Sequence, residues 1–543
     1  MTISFRELKN TTSLFTDYLY SPEKTTSFFS ANPSDQKAWS DTFSEVLKKY
    51  KTNRELLSDI LADQQHRFQS AKQALENVAL LRQPNTVAVV TGQQTGLLGG
   101  PIYTVLKALG TVKYCRLLKT KFPDYNFIPV FWLELEDHDF EEVRSTQLIN
   151  IQNELVKIFY DGGISENQNK TPVHRFALTD DISRIIQELK TALNPTDFSQ
   201  ALFDTITKSY QPGKSWAEAF GMLLSSWLSP MGLVLMDPSD VRFKGIVKPV
   251  FERALKESES LHEAVLNQSN ALKVAGYHAQ VETEPSYVFL TNYGENKLSF
   301  NNKGHDKIRI TRDIWKTYKN DILHILENEP QRFIPNVILR PLIQDTLLPT
   351  VFYVAGPGEI AYFAQFRDLY THMDMASPVI IPRPFFTLVE KKIKKVLDKY
   401  QITIADIIND GEAVIERINQ QSNVSLEPAL LRFMNEVQDG MKNLETQLTA
   451  IDASLKGASA TAMDKMQQAM QVLTQKTRDA EKRAALTTHG QLTKAMLHIR
   501  PNDNFQEREL SILYYLNKYG FTLFDTISEQ ITLDSWDHRL IEL

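Results

Sequence analysis

The chain contains a single cysteine, Cys115, among 543 residues. An internal disulfide and a cysteine-built zinc centre are therefore excluded, and such sparse use of cysteine fits a reducing compartment. There is no long apolar run. The longest uncharged stretch, Ala219 to Met236, is interrupted by Ser225, Ser226, Ser229, Pro230 and Gly232. It is too short and too polar to span a bilayer, so no membrane partner is expected. The first residues, MTISFRELKN, lack the apolar segment of a secretory signal. An excess of positive charge is also missing. Lys and Arg number 60 against 66 Asp and Glu, a formal net charge of −6, which argues against a nucleic-acid partner. No internal repeat or low-complexity tract is visible. What remains, 42% hydrophobic and 23% charged, is the composition of a soluble globular protein, expected in the cytoplasm. The length exceeds what one core can organise and predicts two to four structural units.

The strongest local signal is VTGQQTGLLGGPIYTVLKALGTVKYC, Val90 to Cys115. Thr86-Val87-Ala88-Val89-Val90 reads as a buried strand. It runs into a loop carrying Gly92, Gly96, Gly99 and Gly100, and Pro101 opens a helix with Ile102, Val105, Leu106, Leu109 and Val112 on one apolar face. A second apolar strand, Phe127 to Leu135, follows. Strand, glycine turn, helix and strand form a βαβ pattern, which predicts an α/β protein with a parallel, Rossmann-like sheet.

Six segments are expected. Residues 1–83 read as a helical N-terminal segment, including one long helix from Arg54 to Leu81. Residues 84–140 form the first half of the core and 141–230 a connecting insertion, with helices around SRIIQELKTAL and between Pro195 and Leu228. Residues 231–386 form the second half of the core. Its core strands are expected at Leu233–Met236, Asn336–Leu339, Val351–Val354 and Val379–Ile381, with a helix from about Lys248 to Ala275. This half carries a small β-hairpin insertion at about 276–335, turning at Asn292-Tyr293-Gly294. Residues 387–510 read as a helical coiled coil and 511–543 as a segment returning to the core. In the coiled coil, Met434, Val437, Met441, Leu444, Leu448, Ile451 and Leu455 recur in steps of three and four. So do Met463, Met466, Met470, Leu473, Thr477, Ala480 and Ala484. An antiparallel hairpin turning at Gly457-Ala458-Ser459 follows, with arms of about 33 Å. One arm is rich in large residues and the other fades to Thr and Ala. The seam is underfilled, so either a second copy or the chain's own globular body is expected to cover it.

Three groups of residues could carry chemistry. In the glycine loop, Thr91, Gly92, Gln93, Gln94 and Gly96 mark the strand end, and Tyr103 and Lys107 lie four apart on the next helix. Lys107 suits a phosphate or carboxylate; the alternative is a tight turn beside a solvated lysine. The Walker A Lys-Ser/Thr pair and a strict GxGxxG are missing. The second group is Glu134, Glu136, Asp137, His138 and Asp139, at a strand end where open parallel sheets bind ligands. Clustered acids require a cation such as a substrate ammonium, and His138 is a candidate general base. Helix N-terminal decoration is the alternative reading. Zinc held by His138, His278 and carboxylates has no recognised ligand spacing behind it, and no metal site is assigned. The third group is NVILRPLIQDTLLPTVFYVAGPGEIAYFAQF. There Arg340 could hold a carboxylate or form a structural ion pair. Gln344 and Asp345 follow it, and Gly356, Gly358, Glu359 and Tyr362 form a glycine turn before a helix. Asp237 and Arg383 are further polar groups at strand ends.

TGQQTGLLGGPIYT, PVFWLELEDHDFEEV, GLVLMDPSD, AGYHAQV, LRPLIQDTLLPTVFYVAGPGEIAYF and FQERELSILYYLNKYG occur in that order. Together they resemble the bacillithiol-biosynthesis cysteine-adding enzyme family, over nearly the whole chain. The resemblance implies a Rossmann-like core with two connecting insertions and a C-terminal coiled coil used for homodimerisation. It implies a ligase that joins cysteine to glucosaminyl-malate by an amide bond, the last step to bacillithiol. The glycine loop, Gln93, Gln94 and the Glu136–Asp139 cluster would line one side of a cleft and VAGPGEIAY the other. On that reading His138 is the base, and Asp137, Asp139 or Glu136 holds an ammonium. Arg340 or Lys107 holds carboxylates, and backbone N–H groups near Gly96 and Gly358 hold the phosphate of ATP or ADP. The family is similar to class I aminoacyl-tRNA synthetases, yet Thr91-Gly92-Gln93-Gln94 stands where those enzymes carry HIGH, and no KMSKS-like loop is present. A related nucleotidyltransferase with another amine acceptor and a non-catalytic coiled-coil scaffold are the competing readings.

Overall fold

The computed structural model describes residues 1–136, 140–162, 172–282, 284–291, 307–422 and 425–543, without the side chains of residues 421 and 422. Two compact units emerge. Residues 1–387 fold with 505–541, and residues 388–504 fold with 542–543.

The first unit is built on five parallel strands: β1 (Thr86–Gln94), β2 (Asn126–Glu134), β3 (Val234–Met236), β4 (Thr350–Ala355) and β5 (Val379–Pro382). Their order is β5-β4-β1-β2-β3, with every neighbouring pair parallel. The strand interiors are buried, which explains the unbroken apolar runs in place of alternation. Helix α1 (Ile102–Lys121) makes the crossover from β1 to β2. The chain moves outward through β2 to β3, then returns to place β4 on the other side of β1. The winding reverses between β1 and β4, and ligand crevices of such sheets open there, beyond the carboxyl ends of the strands.

β1 extends four residues past the expected stop, so Gly92, Gln93 and Gln94 are ladder residues opposite Trp132, Leu133 and Glu134. The glycine loop proper is Thr95–Gly100, and its glycines serve packing. A Cβ on Gly96 would lie 2.8 Å from the Cα of Gly100, and one on Gly99 would lie 2.9 Å from the Trp227 ring.

Several expected elements are displaced, each by a specific contact. The helix Arg54–Leu81 is two helices, Arg54–Arg67 and Lys72–Leu80. Phe68 is buried against Gly221, Gln69 turns left-handed at φ 52°, and the Ala71 N–H donates to Ser229 Oγ at 2.8 Å. The expected core strand Asn336–Leu339 is a turn. Asn336 Oδ1 accepts the N–H groups of Ile338 and Leu339, both at 3.0 Å, and helix α2 (Arg340–Leu347) begins there. The strand lies just before it, at Phe333–Pro335, in a small antiparallel sheet with Val288–Thr291 and Lys307–Arg309. The expected hairpin turn at Asn292-Tyr293-Gly294 lies outside the described residues. The insertion adds an unforeseen hairpin, Ser145–Ile149 with Leu155–Phe159. Its Pro195–Leu228 stretch divides into helices Ser199–Ser209 and Trp216–Leu228. The helix expected from Lys248 to Ala275 is two, Val241–Lys256 and Ser258–Val274, and the first accommodates Pro249.

The second unit contains a helical hairpin of α3 (Glu427–Ile451) and α4 (Leu455–Ile499). The turn is Asp452–Ser454, not Gly457–Ser459. Asp452 Oδ1 accepts the Ser454 N–H at 2.8 Å, and Gly457 lies inside the first turns of α4. Leu426 N–H donates to Glu481 Oε1 at 2.8 Å, which sets the antiparallel register. Met434, Val437, Met441, Leu448, Leu455, Met463, Met470 and Thr477 of the expected seam are half-buried, but Glu445, Gln467, Thr474 and Glu481 take the places beside them, and Leu444, Met466 and Leu473 are 45%, 44% and 47% exposed. Among the described residues, no helix is long and apolar enough to cross a membrane.

A candidate active site at the switch point

A cavity of about 770 Å³ opens where the winding of the sheet reverses. It lies within the first unit. Gln93 and Gln94 end β1, Glu134 ends β2 with Glu136 just beyond it, Tyr353 lies in β4, and the Gly356–Glu359 turn follows it. Arg383 follows β5, and Tyr103 and Lys107 come from α1. The small antiparallel sheet contributes Phe289, Lys307, Arg309, Ile334 and Pro335. Gln280, Glu282 and Glu284 precede that sheet, and Arg508 comes from the C-terminal return.

At the centre is a buried ion pair. Lys107 is 2% exposed, and its three ammonium donors are all placed. They reach the Gly92 carbonyl at 2.8 Å, Gln93 Oε1 at 3.0 Å and Glu359 Oε2 at 2.5 Å. Glu359 accepts Tyr353 Oη at 2.7 Å on its other oxygen and the Gly356 N–H at 2.7 Å. Burial pulls the Lys107 ammonium below its ordinary value. Burial pushes the Glu359 carboxyl upward, but Lys107 and the Gly356 N–H outweigh it, so Glu359 is held below its ordinary value of 4.5. Lys107 is thus neither solvated nor free to take a ligand carboxylate. It ties the end of β1 and α1 to the turn after β4.

Arg340 is nearly as enclosed. Its Nη1 donates to Gln344 Oε1 at 3.2 Å, its Nη2 meets Tyr353 Oη at 3.4 Å and Tyr362 Oη at 3.3 Å, and its Nε lies 3.6 Å from Glu134. Behind it, Gln344 donates to Asp345 at 2.9 Å, and Tyr370 Oη donates to the same carboxylate at 2.5 Å. Burial pushes Asp345 up to about 6. Arg383 donates to the Pro384 carbonyl at 2.8 Å and to Glu507 at 2.6 Å, and its guanidinium faces the rings of Phe385 and Tyr103. Gln93 Nε2 donates to Tyr103 Oη at 3.0 Å. Glu136 forms a buried ion pair with Lys244, which also donates to the Phe333 carbonyl at 3.1 Å.

The cavity gathers Gly92, Gln93, Gln94, Tyr103, Lys107, Glu136, Arg340, Gly356, Gly358, Glu359, Tyr362 and Arg383. Three expected residues sit elsewhere. Thr91 is buried in the sheet, donating to the Val354 carbonyl at 2.9 Å, and Gln344 lies behind Arg340. Gly96 is buried, and its N–H donates to the Gln94 carbonyl at 3.0 Å. Asp137, His138 and Asp139 lie outside the described residues, between Glu136 and Phe140. Asp237 is tied to Arg67 at 2.5 Å, and His278 to Gln280 at 3.0 Å. Tyr353, Glu282, Glu284, Phe289, Lys307, Arg309 and Arg508 also line the cavity, beyond the residues expected from the sequence. Lys307 and Arg309 did carry a signal, because residues two apart on a strand share a face. Both cations lie over the Phe289 ring, at 4.0 and 5.4 Å.

Breaking a buried pair by neutralising one partner strands the other charge. Glu359→Gln is expected to lower stability by roughly 3–5 kcal/mol at neutral pH, read by denaturant unfolding. The pH dependence has a definite sign. A carboxyl lowered in the folded state adds stability above its ordinary value, and that stability is lost as pH falls through the lowered one. The gap between Glu359→Gln and the native chain should therefore narrow on acidification. An undiminished gap at low pH would exclude the pair as its cause.

The chain matches two adjoining family models. Residues 1–384 match "Bacillithiol biosynthesis BshC, N-terminal Rossmann-like domain", and residues 386–543 match the C-terminal coiled-coil domain of the same family. Among curated relatives, a Salinibacter ruber protein named "Putative cysteine ligase BshC" is 34% identical over 533 residues, 97% of this chain and 96% of that protein. A Chlorobaculum tepidum protein of the same name is 32% identical over 514 residues, 90% of this chain and 89% of that protein. With the sheet order, the coiled coil and matches across nearly its whole length, the chain belongs to the BshC family of bacillithiol biosynthesis.

Proposed function

We propose that the switch-point cavity is the active site of a ligase that joins L-cysteine to glucosaminyl-malate, the final step of bacillithiol biosynthesis, in the reducing cytoplasm. One observation carries this reading. Carboxylates and guanidinium groups from all sides of the sheet's switch point meet in one cavity of about 770 Å³. That volume suits a small polar ligand bearing both ammonium and carboxylate groups. Both proposed substrates have that character.

Amide formation requires a neutral amine and an acyl carbon bearing a leaving group. The amine of glucosaminyl-malate loses its proton and attacks the activated cysteine carbonyl, and the leaving group departs with the electron pair of the broken C–O bond. We assign the base role to His138 and an ammonium-holding role to the acids beside it. Glu136 supports this as the described neighbour that lines the cavity. Gln93, Tyr103 and Tyr362 offer amide and hydroxyl groups that orient the two substrates.

ATP or ADP is the proposed activating cofactor. Of the backbone groups expected to hold its phosphate, the Gly356 N–H is taken by Glu359, Pro357 has none and the Gly96 N–H is taken by Gln94, so the Gly358 N–H at the cavity wall would hold it.

Incubating the purified chain with cysteine and glucosaminyl-malate, with and without ATP, is expected to yield the cysteinyl amide by mass spectrometry. His138→Ala is expected to abolish it without changing oligomeric state. Product with a different amine only would favour the nucleotidyltransferase reading. No product, and no thermal stabilisation by cysteine, glucosaminyl-malate or ATP, would favour the scaffold reading.

We further propose a homodimer through the coiled coil. The half-buried Glu445, Gln467 and Glu481 of the seam, and the exposed Leu444, Met466, Val472 and Leu473 beside it, support an intermolecular partner for this hairpin. Sedimentation equilibrium is expected to give twice the 62.2 kDa chain mass. Met466→Glu with Leu473→Glu is expected to give monomers; a native monomer would refute the contact.

A further inference from the structure

The C-terminal return contributes a cation to the cavity that differs from four of its neighbours. Lys107, Arg309, Arg340 and Arg383 each face a carboxylate, from Glu359, Glu284, Glu134 and Glu507. Arg508 also lines the cavity, on an exposed position, and no carboxylate of a described residue lies within ion-pair distance of it.

Its backbone is held on both sides. Gln506 and Glu507 are 0% and 1% exposed, and the Glu507 carboxylate accepts Arg383 Nη2 at 2.6 Å and the Phe386 N–H at 2.9 Å. On the other side, the Leu510 carbonyl accepts the Ile102 N–H at 2.8 Å, and the Ser511 N–H donates to the Gln147 carbonyl at 2.7 Å. Two buried anchors therefore fix an arginine whose charge no described carboxylate answers. An arginine needed only for solubility requires no such placement.

We infer that Arg508 binds a substrate carboxylate in this cavity, that of the malate moiety, and so sets specificity for the malate-bearing substrate. This rests on the ligase reading above for the identity of the ligand. The planar guanidinium fork matches a carboxylate in two parallel hydrogen bonds, whereas Lys supplies a point charge. A phosphate would present similar oxygens; loss of L-malate binding in Arg508→Gln distinguishes the carboxylate. Glu507 is a positioning residue, acting through Arg383 and the backbone on either side of Arg508.

The test is calorimetric titration of the full-length protein, Arg508→Gln and Arg508→Lys with glucosaminyl-malate, L-malate, glucosamine and cysteine. Arg508→Gln is expected to weaken glucosaminyl-malate binding about 30-fold, the scale of a lost charged hydrogen-bond pair. Cysteine affinity is expected to stay unchanged, and Arg508→Lys to recover part of the loss. Unchanged glucosaminyl-malate affinity in Arg508→Gln, or an equal loss for cysteine, would overturn the assignment. If the native chain binds L-malate but neither substrate, the ligase reading falls. Arg508 then stands or falls on whether Arg508→Gln loses the malate. If the native chain binds none of the four, both readings fall.

Discussion

The buried contact between Lys107 and Glu359 holds the site together. A buried ammonium beside a largely buried carboxylate is tolerated only where hydrogen bonds satisfy their remaining donors and acceptors. Here the Gly92 carbonyl, Gln93, Tyr353 and the Gly356 N–H do so. Those partners come from β1, from β4 and from the turn that follows it, the elements on either side of the winding reversal. The pair therefore fixes the width of the crevice and orients Gln93 toward Tyr103. Glu359, the third residue of the helix Pro357–Phe363, also caps it by accepting the Gly356 N–H, the acidic half of a capping box.

That lock separates two kinds of cation within one cavity. Lys107 and Arg383 belong to the framework, and Arg340 is held by Glu134, Gln344 and two tyrosines. Groups so fully engaged shape the cavity and set its potential without being displaced by a ligand. The recognition chemistry then falls to side chains at its edge, among them the amide of Gln280 and the guanidinium of Arg508. A preorganised wall with a few available groups is the usual plan of a specific small-molecule site.

The fold was largely legible because its signals were local. Continuous apolar runs marked β1, β2 and β4, and a glycine turn marked the end of β4. The distinction between a binding group and a structural one was not legible. Lys107 reads as a solvated or ligand-binding lysine, and only the distant Glu359, 252 positions later, makes it a structural one. Gly96 suggested a phosphate loop, whereas it serves backbone packing against Gly100. The break at Phe68–Ala71 depends on Ser229, and the hairpin turn at Asp452 on an aspartate side chain rather than on a glycine. Arg508 carried no local signal, since its place depends on Glu507 meeting Arg383 across 124 positions.

The central claim is that the crevice between β1 and β4, held by Lys107 and Glu359, is where the substrates meet. A crystal structure of the native chain with cysteine and glucosaminyl-malate tests it most directly. The account predicts both ligands between the Gln93–Tyr103 side and the Arg340–Tyr362 side, with Lys107 and Glu359 still paired. Ligands seated instead in the hollow lined by Lys190, Phe203 and Lys208, with the switch-point crevice empty, would contradict it.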